Sequence, residues 1–266
     1  MSNIIHFTTL PNGIQVRWFQ CNPNDFEIRL LQNTSGTLDR PGTTASFFVN
    51  SGQRANTRIM TAFHWSGGRA LHTGGGNNFL DRNNQVGSAA SCMFVNPHAP
   101  SSPDMPSHEP RFANRAVNIN ALSPTPADIR WAIGGISLLL NENHANNTSM
   151  ANRYLGQNGA TAFYPGMLER YIPALRSGAA RTFIGYNRSQ NVIFYGIMSP
   201  SISGNTLTNG GATYHDMYTF LRIVGCNFGL SLDGGGSTRF RAPGGNTVHP
   251  AGDTRDIVCQ LTHRGL

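Results

Sequence analysis

The chain has 266 residues, 39% of them hydrophobic and only 12% charged; this excludes a disordered polyelectrolyte and leaves enough apolar residues for the core of one large domain. The balance is basic, +7 with a pI near 9.7, and all 20 basic residues are arginine. Guanidinium forks suit phosphates and carboxylates, but these are spread singly rather than clustered, which argues against a nucleic-acid surface.

The opening "MSNIIHFTTLPNG" has neither a basic n-region nor an apolar h-region, and no apolar run approaches the ~20 residues that a membrane span needs. The expectation is a soluble protein without a secretory signal, cytoplasmic rather than secreted. "GIQVRWFQC" and "FEIRLLQ" carry alternating or branched apolar residues between Asn, Pro and Gly turns, which predicts strands. From Gly52 to about Pro110 the chain is rich in Gly, Asn, Ser and Pro, which predicts long loops. His64 and His72 fall there and read as solvated. "SPTPADIRWAIGGISLLLNE" has Pro126 and Asp128 where a helix would start, yet Gly134-Gly135 interrupts it; helix and strand both fit its second part.

Beyond Ala180 the pattern sharpens. "RTFIGYNRSQNVIFYGIM" is an apolar run, a polar turn at Asn187 to Gln190 and a second β-rich run, which predicts a hairpin. "GATYHDMYTFLRIVG" offers Thr213 as N-cap with Asp216 three residues on. Met217, Phe220, Leu221 and Val224 share one face, and Gly225 is the stop. The strand "FGLSL", a glycine loop and the strand "RDIVCQLTH" follow. Without repeats or linkers, the prediction is one α+β, β-rich domain over 1–266, with a mixed sheet and few helices.

Cys21, Cys92, Cys226 and Cys259 form no CxxC or spaced Cys/His set and read as buried thiols. No HExxH, EF-hand or paired-carboxylate pattern calls for a metal, so no cofactor is expected.

The glycine loop carries the chemistry. "SLDGGGST" spends three consecutive glycines, Gly234 to Gly236, between Asp233 and Ser237. Glycine loses the most entropy on folding, so such a run implies a special backbone conformation or a close approach. Successive amides there can form an anion-binding nest, with the Ser237 and Thr238 hydroxyls as further donors. Asp233 can orient a sugar hydroxyl, act as a base or attack an anomeric carbon; equally, it can cap its own loop. Neither GxxxxGK[ST] nor a strand-to-helix GxGxxG is present.

These stretches resemble the phosphodiester glycosidase family. The matching residues are Arg181, Thr182 and Gly185; Asp216, where the family usually has Glu; Leu232 to Ser237; and Arg255. Upstream, "ASFFVNSGQ" is similar to a family Asn-Gly-Gly-Phe-Phe stretch, retaining Phe47-Phe48 and Asn50-Ser51-Gly52 but carrying Thr44-Ala45-Ser46 where Asn-Gly-Gly is expected. The resemblance is clearest over 180–263, and 52–130 does not align. It implies hydrolysis between a sugar's anomeric carbon and a phosphodiester oxygen. Arg181 and Arg255 would then clamp the phosphate or a carboxylate, Asp233 would be the central carboxylate, and Gly234, Gly235, Gly236 and Ser237 would form the cradle. Thr182, Phe48, Asn50, Asp216 and His215 would line the substrate. Taken alone, Arg181 also reads as a strand residue, Arg255 as an ion pair with Asp253 or Asp256, and His215 as a cap residue. The implied partner is a phosphorylated sugar or nucleotide sugar. A non-catalytic binder of such a ligand is the competing reading, and a structural or toxin-like module with lysine lost is the third.

Overall fold

A computed structural model describes residues 4–30, 48–50, 64–66, 69–70, 90–95, 110–113, 130–156, 177–232, 234–241, 246–251 and 259–263. The first strands are β1 (His6–Thr9), β2 (Gln15–Cys21), β3 (Phe26–Leu30) and β4 (Phe48–Asn50). Next come β5 (His64–Ser66), β6 (Arg69–Ala70), β7 (Ala90–Val95), β8 (Arg111–Ala113) and β9 (Trp131–Ser137), then helix α1 (Asn147–Gly156). The hairpin β10 (Arg181–Asn187) and β11 (Val192–Ser199) is followed by a small one, β12 (Ile202–Ser203) and β13 (Thr206–Leu207). Helix α2 (Tyr214–Ile223), β14 (Phe228–Ser231), a 3-10 turn (Gly235–Ser237), β15 (Phe240–Arg241), β16 (Thr247–Pro250) and β17 (Cys259–His263) complete the order.

The strands build two sheets. The larger runs β1-β2-β11-β10-β14-β9-β5-β6, with β7 paired to β9 and β8 to β7, and every pairing is antiparallel. The smaller runs β12-β13-β16-β15-β4-β17-β3, and its parallel β13–β16 pair makes it mixed. Side-chain alternation along the central strands separates two apolar layers. Ile184 and Tyr186 of β10 join Phe19 and Tyr195 against Ile28, Phe240 and Leu261 of the smaller sheet, where the Phe19 and Phe240 rings stack at 4.8 Å. On the opposite face, Phe183, Phe194 and Met198 pack against Met217, Phe220 and Leu221 of α2. Sheet, sheet and helix thus form three layers, and β10 between them is buried along its whole length. With two α-helices among the described residues, the fold is α+β and β-rich.

The hairpin turn and the helix match expectation. α2 has Thr213 as N-cap in a full capping box with Asp216, and Gly225 follows the C-cap at φ +73°. Two sequence readings change. Segment 52–110 is not wholly loop, because β5, β6 and β7 lie within it and both β5 and β7 pair with β9. The undecided 131–137 segment is a strand, with β7 on one edge and β5 and β14 on the other. Cys21 and Cys226 are buried free thiols whose ionisation burial opposes. No described helix is long and apolar enough to cross a membrane.

Candidate active site

The register of three strand pairs brings distant parts of the sequence to one place. β14 runs antiparallel to β10 with Ser231 opposite Phe183, so the C-terminal end of β14 meets the start of β10 at Arg181. Past the 3-10 turn, Phe240 pairs with Val49 and Arg241 with Phe48, which puts the start of β15 at the Asn50 end of β4. Gln260 pairs with Asn50 on the other edge of β4, so β17 also begins at that end. The side chains of Phe48, Asn50 and Ser237, and the whole of Asp233 and Arg255, lie outside the described residues.

Backbone hydrogen bonds fasten the glycine turn to the start of β10. Leu232 N–H donates to Thr182 O at 2.9 Å and Gly235 N–H donates to Ala180 O at 2.7 Å. The contact requires glycine twice over. A Cβ at Gly234 would lie 2.6 Å from Ala180 O, and Gly235 adopts φ +60°. Gly235 therefore spends its amide on the strand. Below the turn sits Arg239, 2% exposed, whose Nη1 donates to Gly236 O at 2.7 Å and to Thr238 O at 3.1 Å. Sequence reasoning passed over this residue; the available signal was a charged side chain three residues past the glycines, between strand-forming neighbours.

Arg181 is 7% exposed and lies on the helix side of the sheet. Its Nε donates to Ala212 O at 3.1 Å, its Nη2 to Ser177 O, and its guanidinium carbon sits 4.4 Å from the centre of the Tyr214 ring. Burial lowers its pKa, and Tyr214 and Asp216 oppose that shift. Arginine starts so basic that the cation persists, held in a low-dielectric setting where its field is strong. The next residue, Thr182, has no exposed surface, and its Oγ1 finds no hydrogen-bond partner among the described residues; Thr238 Oγ1 is in the same condition.

Asp216 shares the N-terminal end of α2 with Tyr214, and both its oxygens are engaged. Oδ2 accepts from Thr213 N–H and Thr213 Oγ1, each at 2.7 Å, and Oδ1 accepts from Asn12 Nδ2 at 2.7 Å. Its geometry is that of a helix cap tied to the β1–β2 connection. His215 does not join the group: its N–H donates to Asn147 Oδ1 at 2.8 Å and its ring stacks on Tyr218, on the α1 side of the helix. The structure thus gathers Arg181, Thr182 and the glycine turn, brings Asp216 near Arg181 as a cap, and leaves His215 apart.

A family model described as phosphodiester glycosidase matches residues 108–260, more than half of the chain. Among solved structures, the chain is similar to the catalytic domain of zebrafish N-acetylglucosamine-1-phosphodiester alpha-N-acetylglucosaminidase, auto-inhibited by its pro-peptide. The TM-score is 0.58 at 13% identity, over 99% of this chain and 82% of that one. A hypothetical protein from Synechocystis gives a TM-score of 0.49 at 16% identity, over 97% of this chain and 61% of that one. No curated protein sequence gives a significant match. The family match spans β10, α2 and the glycine turn, the elements that meet at this site. The chain belongs to the phosphodiester glycosidase family.

Proposed function

We propose that this protein, a single domain, is a hydrolase that cleaves the bond between a sugar's anomeric carbon and a phosphodiester oxygen, in a sugar-1-phosphodiester or nucleotide-sugar substrate. The observation that carries this reading is the backbone fastening of the glycine turn to the Ala180–Thr182 segment, which joins the loop bearing Asp233 to the strand bearing Arg181. In the proposed reaction water adds across the C1–O bond. The anomeric carbon takes the hydroxyl, and the leaving group departs as a phosphate monoester from a sugar-1-phosphodiester or as a nucleoside diphosphate from a nucleotide sugar. Because that leaving group is a weakly basic anion, the demand for a strong general acid is small. The larger demand is for a cationic phosphate site and a carboxylate at the oxocarbenium-like centre. Arg181 and Arg255 supply the first, Asp233 the second, and the Gly234–Ser237 backbone the bed on which the phosphate rests. Thr182, Phe48 and Asn50 belong to the proposed walls.

A second reading has its own support. Two arms of Arg181 are directed at backbone carbonyls, and Thr44-Ala45-Ser46 stands in place of the family's Asn-Gly-Gly. A protein that keeps the cradle to hold a phosphorylated sugar or nucleotide without turning it over fits both facts. Release of reducing sugar from a panel of sugar-1-phosphodiesters and nucleotide sugars separates the two. Turnover by the parent that Asp233→Asn or Arg181→Ala abolishes in folded protein establishes the hydrolase. No turnover, with thermal stabilisation by one of the compounds, establishes the binder.

A further inference from the structure

A cavity of about 400 Å³ opens beside the glycine turn, between the β12–β13 hairpin, the loop that follows it and the end of β16. Among the residues that line it, Ser201, Ser203, Thr206 and Thr208 carry hydroxyls and Asn209 a carboxamide, with Leu207, Pro250 and Ala251 as apolar surface. Among the described residues that line it, none is charged and none is aromatic. The hairpin is set firmly: Ile202 N–H donates to Gln15 Oε1 at 2.8 Å, and Arg17 Nη2 donates to Ile202 O at 3.2 Å. Ser199 Oγ ties the two ends of the hairpin through Ser201 O and Thr208 O at 2.9 and 2.7 Å.

The same loop joins this cavity to the proposed reaction site. Asn209 Oδ1 faces the glycine turn, where a Cβ at Gly235 would lie 3.6 Å from it. Three residues on, Ala212 O holds Arg181 Nε, and Ala212 O also accepts from Ala179 N–H at 2.8 Å. A ligand bridging the two sites would therefore keep its anionic part by the glycine turn and send a neutral part toward Asn209.

We infer that the β12–β13 cavity is the subsite for a neutral, polyhydroxylated, non-aromatic group, that is, the sugar ring of the ligand. The inference rests on the proposed reading of the neighbouring glycine turn for its phosphate partner, but the binding it requires does not. Hydroxyl and carboxamide groups around a small apolar surface match a pyranose, which alternates hydroxyls with C–H faces. A bare phosphate would find no cation among the described lining residues. A nucleobase would find no aromatic stacking surface among them, which base-binding sites ordinarily provide. The volume lies at the small end of ligand pockets, ~300–1,000 Å³, where a mono- or disaccharide fits.

The test measures two bindings on the full chain by ligand-observed NMR: a panel of neutral methyl glycosides (gluco, galacto, manno and N-acetylgluco) with adenosine as control, and inorganic phosphate separately. The variants are Thr208→Val with Asn209→Leu, both at exposed positions, and Arg181→Gln. The expected result is that one glycoside binds the parent, that the hairpin variant weakens it by about tenfold or more at unchanged melting temperature, and that phosphate binding is unaltered in that variant. The inference is overturned if no glycoside binds, if the hairpin variant keeps glycoside affinity within about twofold, or if adenosine takes the site in a hairpin-dependent way. Phosphate binding that ignores Arg181→Gln would count against the phosphate site alone and leave the sugar subsite standing.

Discussion

Gly234→Ala puts the glycine turn under direct strain. The new Cβ would stand 2.6 Å from Ala180 O, a backbone atom inside a layered sheet that cannot swing aside. Ordinary contact begins at 3.4 Å, so the turn must withdraw by roughly 0.8 Å. That retreat lengthens the 2.7 Å bond from Gly235 N–H to the same Ala180 O to roughly 3.5 Å, beyond hydrogen-bonding range. Overpacking of this kind costs about 1–3 kcal/mol and the lost bond about 1 kcal/mol, so the expected destabilisation is about 2–4 kcal/mol. Displacing catalytic groups by about 1 Å also costs on the order of 100-fold in rate. Urea denaturation at fixed pH measures the first, and initial rates of sugar release on the best panel substrate measure the second. Gly210→Ala is the control: a Cβ at Gly210 meets nothing within 4 Å, so this variant should be neutral or gain up to about 1 kcal/mol through the unfolded chain. A Gly234→Ala protein within about 0.5 kcal/mol of the parent would refute the claim that close approach to β10 dictates glycine there.

Two further predictions concern the supporting structure. Thr213→Ala removes the oxygen that accepts Asp216 N–H at 3.2 Å and donates to Asp216 Oδ2, and should lower unfolding free energy by about 1 kcal/mol in urea melts. An unchanged melt would mean that the cap contributes nothing to α2. For pH, burial lowers the His263 pKa from its usual 6.5, against an opposing pull from Asp25, while burial holds the Tyr195 phenol protonated so that it can donate to His263 Nδ1 at 2.6 Å. The unfolded chain therefore takes up the proton first as pH falls. The stabilisation is complete above about pH 6.5 and is lost as pH drops through the lowered folded-state value. His144, also lowered by burial, adds a slope of the same sign. Denaturation midpoints measured from about pH 8 to about pH 5 should fall, and fall less steeply in His263→Gln. Parallel profiles for the two proteins would exclude His263 as a source of the slope.

How much was legible depended on the distance over which each feature is encoded. The Asn187 to Gln190 turn, the Thr213–Asp216 capping box and the Gly225 stop are complete within a few residues, so residue types and spacing reveal them. The three glycines likewise announce a constrained backbone, and their order with Arg181 and Asp216 carries the family resemblance. What the glycines are constrained against is a carbonyl more than fifty residues away, Ala180 O, which no local pattern encodes. The strand state of 131–137 is likewise decided by partners: the Gly134-Gly135 pair offers little propensity of its own, and β5, β7 and β14 supply the ladder. The short strands within 52–110 read as loop for the same reason. Asp216 looked like a substrate contact in the sequence, while its full coordination emerges only when Asn12 arrives across 204 residues of chain. Arg239 beneath the glycine turn was marked only by a charge between strand-forming neighbours, and Asn209 beside the turn had no distinguishing sequence context. The sequence by itself determined the hairpin, the capped helix, the glycine run and the family to which they point, because local backbone and capping energetics act between near neighbours. Only the tertiary structure decided which carbonyl the glycine turn must approach, which arginine supports it and which cavity opens beside it, because those follow from strand register and burial between residues far apart in the chain.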